Sequence, residues 1–212
     1  MESELSYHKT NLREKIITEA AKIISEKGID SLSMRKLSQT LHISRTAAYH
    51  YFKNKDQLLQ SVAETGFQKL RNSLISIKED PHLSTIDIFK EIGKKYIYFA
   101  LEETEFFRLM FTISVKRYFH FSEDSAILKN FEFSSEPAFA LFQDFFTYIQ
   151  LGKDSNFFQS TDPLLVANTL FAFIHGLAIL AINNQLKLTT SLDEFLEQSF
   201  DLFFSGICSA KK

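Results

Sequence analysis

Four side chains between residues 45 and 50, Arg45, Thr46, Tyr49 and His50, are of the types that touch nucleic acid. An arginine can donate two hydrogen bonds to the edge of a guanine, and a threonine can meet a thymine methyl or a phosphate. Tyr49 and His50 are better suited to hold phosphate oxygens than to read bases. Ala47 lies on or near the same face. Lys55 follows in the first turn of a further helix, where its ammonium and the free backbone amides make an anion site. Ser33 and Arg35, upstream, are placed to grip the opposite backbone strand. Such phosphate contacts set register, while the few base contacts set sequence preference.

These residues need two short helices to hold them. Ser33 can cap a helix to about residue 41, with Leu37 and Leu41 four apart and facing inward. Ser44 can cap a second to about residue 52, with Ala48 and Phe52 inward at the same spacing. A turn of roughly three residues joins them, as a helix-turn-helix requires. Upstream, Ile16, Ile17, Ala20, Ala21, Ile23 and Ile24 make one helical stripe, and Gly28 stands where a C′ glycine belongs. Downstream, Asn54 can cap a long fourth helix, with Gln57 completing a capping box, and that helix ends before Pro81.

The rest of the chain keeps the helical period. Amphipathic helices are predicted over 86–100 and 105–115, a first-turn proline at Pro137, and an Asp162-capped helix opening at Pro163. A final helix covers 192–207, and 117–134 is aromatic and irregular. Six glycines and three prolines leave few turns for an all-β fold. The expected class is therefore all-α. A three-helix helix-turn-helix domain over 1–57 precedes a larger helical bundle over 58–212, with about nine helices in all.

Charge follows the same division. Residues 31–55 hold five Lys/Arg and no Asp or Glu. Up to residue 60 there are ten Lys/Arg against seven Asp/Glu, and beyond it fourteen against nineteen. A basic N-terminal unit on an acidic body suits a polyanion at one end only, although a solvated basic face reads the same way. Residues 1–11 lack the apolar core of a signal peptide, and Cys208 is the single cysteine, so no internal disulfide forms and a cytoplasmic location fits. The nineteen-residue apolar run 164–182 is long enough to cross a bilayer. Asn168, Thr169 and His175 inside it, and the lack of a flanking Lys/Arg cluster, favour a soluble helix buried on most sides.

Over residues 13–59 the chain resembles the DNA-binding domain of the tetracycline-repressor (TetR) family. The matching elements are Ala20-Ala-Lys-Ile-Ile-Ser-Glu-Lys-Gly28, Leu32-Ser-Met-Arg-Lys-Leu37, and the run from Ile43 to Leu58, whose Tyr49-x-x-Phe52-x-x-Lys55 segment is the most specific part. The family has glycine in the turn where this chain has His42, a residue that can adopt positive φ at some cost. The resemblance implies a homodimer through helices eight and nine, here about 162–186 and 192–207. It also implies a palindromic double-stranded DNA operator and a small-molecule effector bound in the C-terminal body. Leu170-Phe-Ala-Phe-Ile-His-Gly176 and Phe106-Phe-Arg-Leu-Met-Phe111 resemble a subclass named for Trp, His and Gly (WHG-type), with Phe171 at the tryptophan position. Phe107, Met110, Phe111, Phe142, Phe145, Phe146 and Phe171 are the candidate pocket walls. His175 is either a polar handle there or a core histidine bonded to a backbone carbonyl. Twenty-three phenylalanines fit an aromatic pocket for an apolar ligand, or an AT-rich coding sequence.

Enzymes lie outside this pattern. The sequence has no nucleophile elbow, Walker loop, dinucleotide glycine motif or paired metal-ligand spacing, and its six histidines form no i, i+4 pair. No cofactor, metal site or membrane association is expected.

Overall fold

A computed structural model describes residues 2–78, 83–118, 120–121, 131–132, 136–154, 157–158 and 162–207. Nine α-helices appear among the described residues: α1 (Glu2–Lys27), α2 (Met34–Thr40), α3 (Arg45–Tyr51), α4 (Lys55–Lys78), α5 (Thr85–Glu102), α6 (Thr104–Tyr118), α7 (Glu136–Asp154), α8 (Pro163–Ile182) and α9 (Leu192–Ile207). A single 3₁₀ turn, η1 (Ile29–Ser31), follows α1. The irregular stretch also contains a two-residue antiparallel pair, β1 (His120–Phe121) and β2 (Phe131–Glu132), with His120 opposite Glu132.

The chain divides into two compact units, Met1–Phe67 with Glu103–Glu136, and Gln68–Glu102 with Pro137–Lys212. The first break falls inside α4, and α6 joins the first unit.

The first unit is built on the α1 stripe. Ile16, Ile17, Ala20 and Ala21 are buried with Leu37 of α2, Ala48 of α3, Phe52, and Leu58 and Val62 of α4. Gly66 lets α4 approach α6 closely, since a Cβ there would lie 2.6 Å from the Met110 sulfur and 3.2 Å from Phe106 Cβ.

Local chemistry sets the helix ends. Gly28 takes φ 78°. Ser33 Oγ accepts from the Lys36 amide at 3.2 Å, and Ser44 Oγ accepts from the Ala47 amide at 3.0 Å. The Gln57 amide donates to Asn54 Oδ1 at 2.8 Å, while Gln57 Oε1 reaches back to the Lys53 amide at 2.7 Å. That is the expected capping box with the return bond moved one residue upstream.

His42 takes φ 53°. The Ile43 amide donates to Ser38 O at 3.0 Å and the His42 amide to Gln39 O at 3.1 Å, the paired bonds of a Schellman stop. That stop needs a left-handed residue at position 42, and a side chain with a Cβ is held there at a cost. His42→Gly is therefore expected to stabilise the protein by about 0.5–1 kcal/mol, after allowing for glycine's greater unfolded-state freedom. His42→Val should destabilise it. The midpoint of thermal unfolding reads both, and a glycine variant that melts at or below wild type contradicts the account.

In the second unit α5 packs along α8 and α9. Gly93 makes this possible, because a Cβ there would lie 2.4 Å from Phe200 Cζ of α9 and 3.4 Å from Ile174 Cγ2 of α8. Lys90 bridges Glu197 at 2.5 Å and Asp201 at 2.6 Å, and Lys94 reaches Glu197 at 2.6 Å. Burial pulls the Lys90 pKa down, but hydrogen bonds to Asp201 and Glu197 outweigh it and leave it raised. Arg71, in the second half of α4, pairs with Asp144 of α7 at 2.8 Å.

Asp162 caps α8 as expected, its Oδ1 accepting from the Leu164 and Leu165 amides at 2.9 and 3.3 Å. The helix stops at Ile182 rather than near 186. Asn184 takes φ 52°, and the Gln185 amide closes back on Leu180 O at 2.9 Å, a second Schellman stop. The expectation that α8 is buried on most sides does not hold. Only 28% of its most apolar eighteen-residue window is buried within the chain. Val166, Ala167, Leu170, Ile174 and Ala178 face inward, whereas Leu165, Phe171 and Leu180 are exposed.

Candidate nucleic-acid interface

Helix α3 has seven residues, and only Ala48 among them is buried. A helix this short does not persist alone in water, since isolated helices below roughly 12–15 residues are marginal. Its neighbours hold it. Phe52 at its C-terminal end is buried in the first unit's core. The Arg13 guanidinium lies 5.4 Å from the centre of the Phe52 ring and donates to Ser61 Oγ of α4 at 3.1 Å. Arg13 thus ties α1, α4 and the end of α3 together, a role the motif alone does not reveal. A signal was present: Arg13 precedes Ile16 and Ile17 by three and four residues, on the face of the buried stripe.

With Ala48 and Phe52 turned inward, the other face of α3 is open. Arg45, Thr46 and His50 are exposed, Ala47 is half-buried and Tyr49 keeps 49% of its surface exposed. His50 sets its ring edge-on to Tyr51 at 5.5 Å. Arg35 on α2 is exposed, and Ser33 is half-buried as the α2 cap. Lys55 is partly buried, and its ammonium donates to Ile29 O at 2.6 Å. It therefore fastens the first turn of α4 to η1, and its remaining N–H groups are the ones available to an anion. Ser33, Arg35, Ser44, Arg45, Thr46, Ala47, Tyr49, His50 and Lys55 all fall within the first unit.

The candidate pocket residues divide between the two units, three on α6 in the first and five on α7 and α8 in the second. Phe107 and Met110 on α6 are fully buried in the first unit, and Phe111 packs its ring 5.0 Å from Phe107 and 6.1 Å from Phe67. These three pack α6 within that unit. Phe142, Phe145 and Phe146 lie on α7, with Phe142 and Phe146 stacked at 6.2 Å. Among all eight candidates, Phe145 lines the cleft found in the second unit beside α4, α5 and α7.

Phe171 and His175 sit together on α8, rings stacked 5.2 Å apart, and His175 Nδ1 is 2.9 Å from the Tyr96 hydroxyl of α5. One partner of His175 is thus a phenol from a neighbouring helix. Burial lowers the His175 pKa and raises that of Tyr96 well above its ordinary value, which favours the neutral form of each. Tyr96 was legible as part of the buried α5 face that includes Phe89, Ile92 and Ala100, but its hydrogen bond was not.

Known proteins resemble this arrangement at both levels. Residues 16–62 match the family model for bacterial regulatory proteins of the tetR family, and 89–203 match that for the tetracyclin repressor-like C-terminal domain. An uncharacterised HTH-type transcriptional regulator of Haemophilus influenzae is 35% identical over 66 residues, covering 31% of this chain and 35% of the relative. The class D tetracycline repressor of Escherichia coli is 43% identical over 51 residues, covering 24% of this chain and 23% of the repressor. The chain thus spans about a third or less of those relatives' lengths. A solved TetR-family structure from Vibrio parahaemolyticus shares the fold with a TM-score of 0.70 at 17% identity, over 93% of this chain and 99% of that one. With a braced, outward-facing α3 and a C-terminal match covering more than half its length, the chain belongs to the TetR family of bacterial regulatory proteins.

Proposed function

We propose that the chain is a sequence-specific DNA-binding transcriptional regulator of the cytoplasm, a repressor that leaves its operator when a small, largely apolar molecule binds. The observation that carries this reading is the open face of α3, with Arg45, Thr46, Tyr49 and His50 exposed and Ala48 buried. In this reading residues 1–57 form the DNA-binding domain and 58–212 the ligand-binding and dimerisation domain. Arg45 and Thr46, at the N-terminal end of α3, reach base edges. Tyr49, His50, Arg35 and Lys55 hold phosphates. Ser33 and Ser44 spend an acceptor lone pair on their helix caps and keep a hydroxyl proton for the same use.

Two copies bind together. The exposed apolar face of α8, the 76% exposure of Leu202 on α9, and the open space around Gly176 and Gly206 favour a partner's helices packing there. A twofold dimer carries two α3 helices and so reads a palindrome. Release requires only that the effector bind better to the form that does not fit DNA. Phe107, Met110, Phe111, Phe142, Phe145, Phe146, Phe171 and His175 are the residues expected to meet such a ligand.

Binding to a duplex from the gene's own upstream region, followed by fluorescence anisotropy, tests this. Arg45→Ala is expected to cost about 1–3 kcal/mol on the cognate duplex and little on a scrambled one. Lys55→Ala should weaken all duplexes alike and flatten the salt dependence. If both variants bind every duplex as wild type does, the reading fails.

A further inference from the structure

From Pro163 to Ile182, α8 carries no Asp, Glu, Lys or Arg. Its outward face includes Leu165, Asn168, Phe171, Ala172 and Gly176, all exposed. His175 follows Asn168, Phe171 and Ala172 by seven, four and three residues, so it stands among them on the helix surface. It is half-buried there, stacked on the Phe171 ring, with the Tyr96 hydroxyl of α5 at its Nδ1. A face without charge suits a second copy of this chain. Twofold pairing lays the same patch on itself, so a charge near the axis would meet its like.

We propose that His175 is an acid switch on subunit association: a second copy packed over α8 accommodates the neutral imidazole, and protonation of the ring drives the copies apart. This rests on the dimeric reading above and adds what controls it. The cause is the lack of an opposite charge. On α5, the residues one turn either side of Tyr96 are Ile92, Gly93, Phe99 and Ala100, all buried and uncharged. Lys95, half-buried beside Tyr96, is a cation and would only oppose a second positive charge. On α9, Asp193 accepts from Tyr98, while Glu197 and Asp201 are paired with Lys90 and Lys94 of α5. Neither α8 nor its copy has a carboxylate within the helix to offer. An imidazolium enclosed there would be a buried charge without a partner.

Burial within one chain already lowers the His175 pKa from its ordinary 6.5, and a covering partner would lower it further. Well above 6.5 the ring is neutral in monomer and dimer alike, and association is at full strength. As the pH falls below 6.5, the separated chain takes up the proton more readily than the dimer, and association weakens. Dissociation in turn separates the two α3 helices and loses their joint hold on a palindrome.

Sedimentation equilibrium of the full chain between pH 7.5 and 5.5 tests the switch. The wild-type dimer dissociation constant is expected to rise about tenfold or more over that range. His175→Gln keeps a hydrogen-bonding group for Tyr96 without the titration, and should associate equally at both ends. A second readout needs wild type alone. One of the histidine Cε1–H resonances should titrate with a lower midpoint in concentrated, dimeric samples than in dilute ones, because the coupling is reciprocal. A wild-type dissociation constant that ignores pH, equal weakening in His175→Gln, or midpoints that all ignore concentration each overturn the switch and leave the dimer standing. Acid dissociation accompanied by loss of helical circular dichroism is unfolding and overturns it too. Wild type that is monomeric at pH 7.5 removes the dimeric reading and the switch with it.

Discussion

Leu180→Glu is expected to convert the proposed dimer into monomers and to lower operator affinity about a hundredfold or more. Leu180 is 39% exposed on α8, where Leu165 is 56% exposed. In a single chain a glutamate at so exposed a site is nearly neutral for folding. Across a helix pair it would bury an unpaired carboxylate, which is strongly unfavourable. The effect on DNA follows from valency. When one α3 is seated on its half-site, the second binds intramolecularly, and that gain is of the order of 10²–10⁴. Leu202→Glu on α9 should act in the same way. Sedimentation velocity gives the association state and anisotropy the affinity. A Leu180→Glu protein that remains dimeric removes α8 from the interface. The length and hydropathy of α8 also satisfy the criterion for a bilayer-crossing helix. Wild type that partitions into phospholipid vesicles, rather than remaining in buffer as dimers, would assign the apolar face to lipid instead.

The two units differ in how much their sequence reveals, for a physical reason. In the first, the decisive features are local. Ser33, Ser44 and Asn54 cap helices within three residues of themselves, and His42 closes a Schellman turn with bonds reaching three and five residues back. Such features depend on neighbouring residues and are readable without the fold. The open face of α3 follows from the i, i+4 spacing of Ala48 and Phe52 for the same reason. In the second unit the defining contacts join residues far apart in the chain. Arg71 finds Asp144 across 73 positions, and Tyr96 finds His175 across 79. No spacing rule links them. The phenylalanines on α6 show the consequence. Phe107 and Phe111 carry the apolar surface expected of a pocket wall, but whether such surface lines a cavity or fills one depends on which residue faces it. Here Gly66 admits Met110, and the α6 residues pack tightly. The resemblance to the WHG-type subclass rests on the runs 106–111 and 170–176, the second with Phe171, His175 and Gly176. The structure groups the first two rings beside Tyr96 and leaves the glycine facing open space.

Phe52→Ala is expected to cost about 3–5 kcal/mol of stability and, separately, to loosen α3 on its support. Phe52 is 1% exposed, among the largest fully buried side chains of the protein. It does two things. Its ring fills the core beneath the end of α3, and its face receives the Arg13 guanidinium that is also bonded to Ser61. Truncation opens a cavity and removes the aromatic surface on which Arg13 rests. The two losses are separable. Phe52→Leu should restore most of the stability, because it refills much of the volume, but not the Arg13 contact. Arg13→Met should do the opposite, keeping the core while removing the charge and the bond to Ser61. Denaturant melts give the stability of each variant, and hydrogen exchange at the α3 amides gives the local opening. If α3 is held by Arg13 stacked on Phe52, then Arg13→Met and Phe52→Leu both exchange faster there than wild type. In both, operator affinity falls by more than global stability predicts. Protection of α3 that tracks only the global unfolding free energy in all three variants would show that core volume alone sets the reading helix in place.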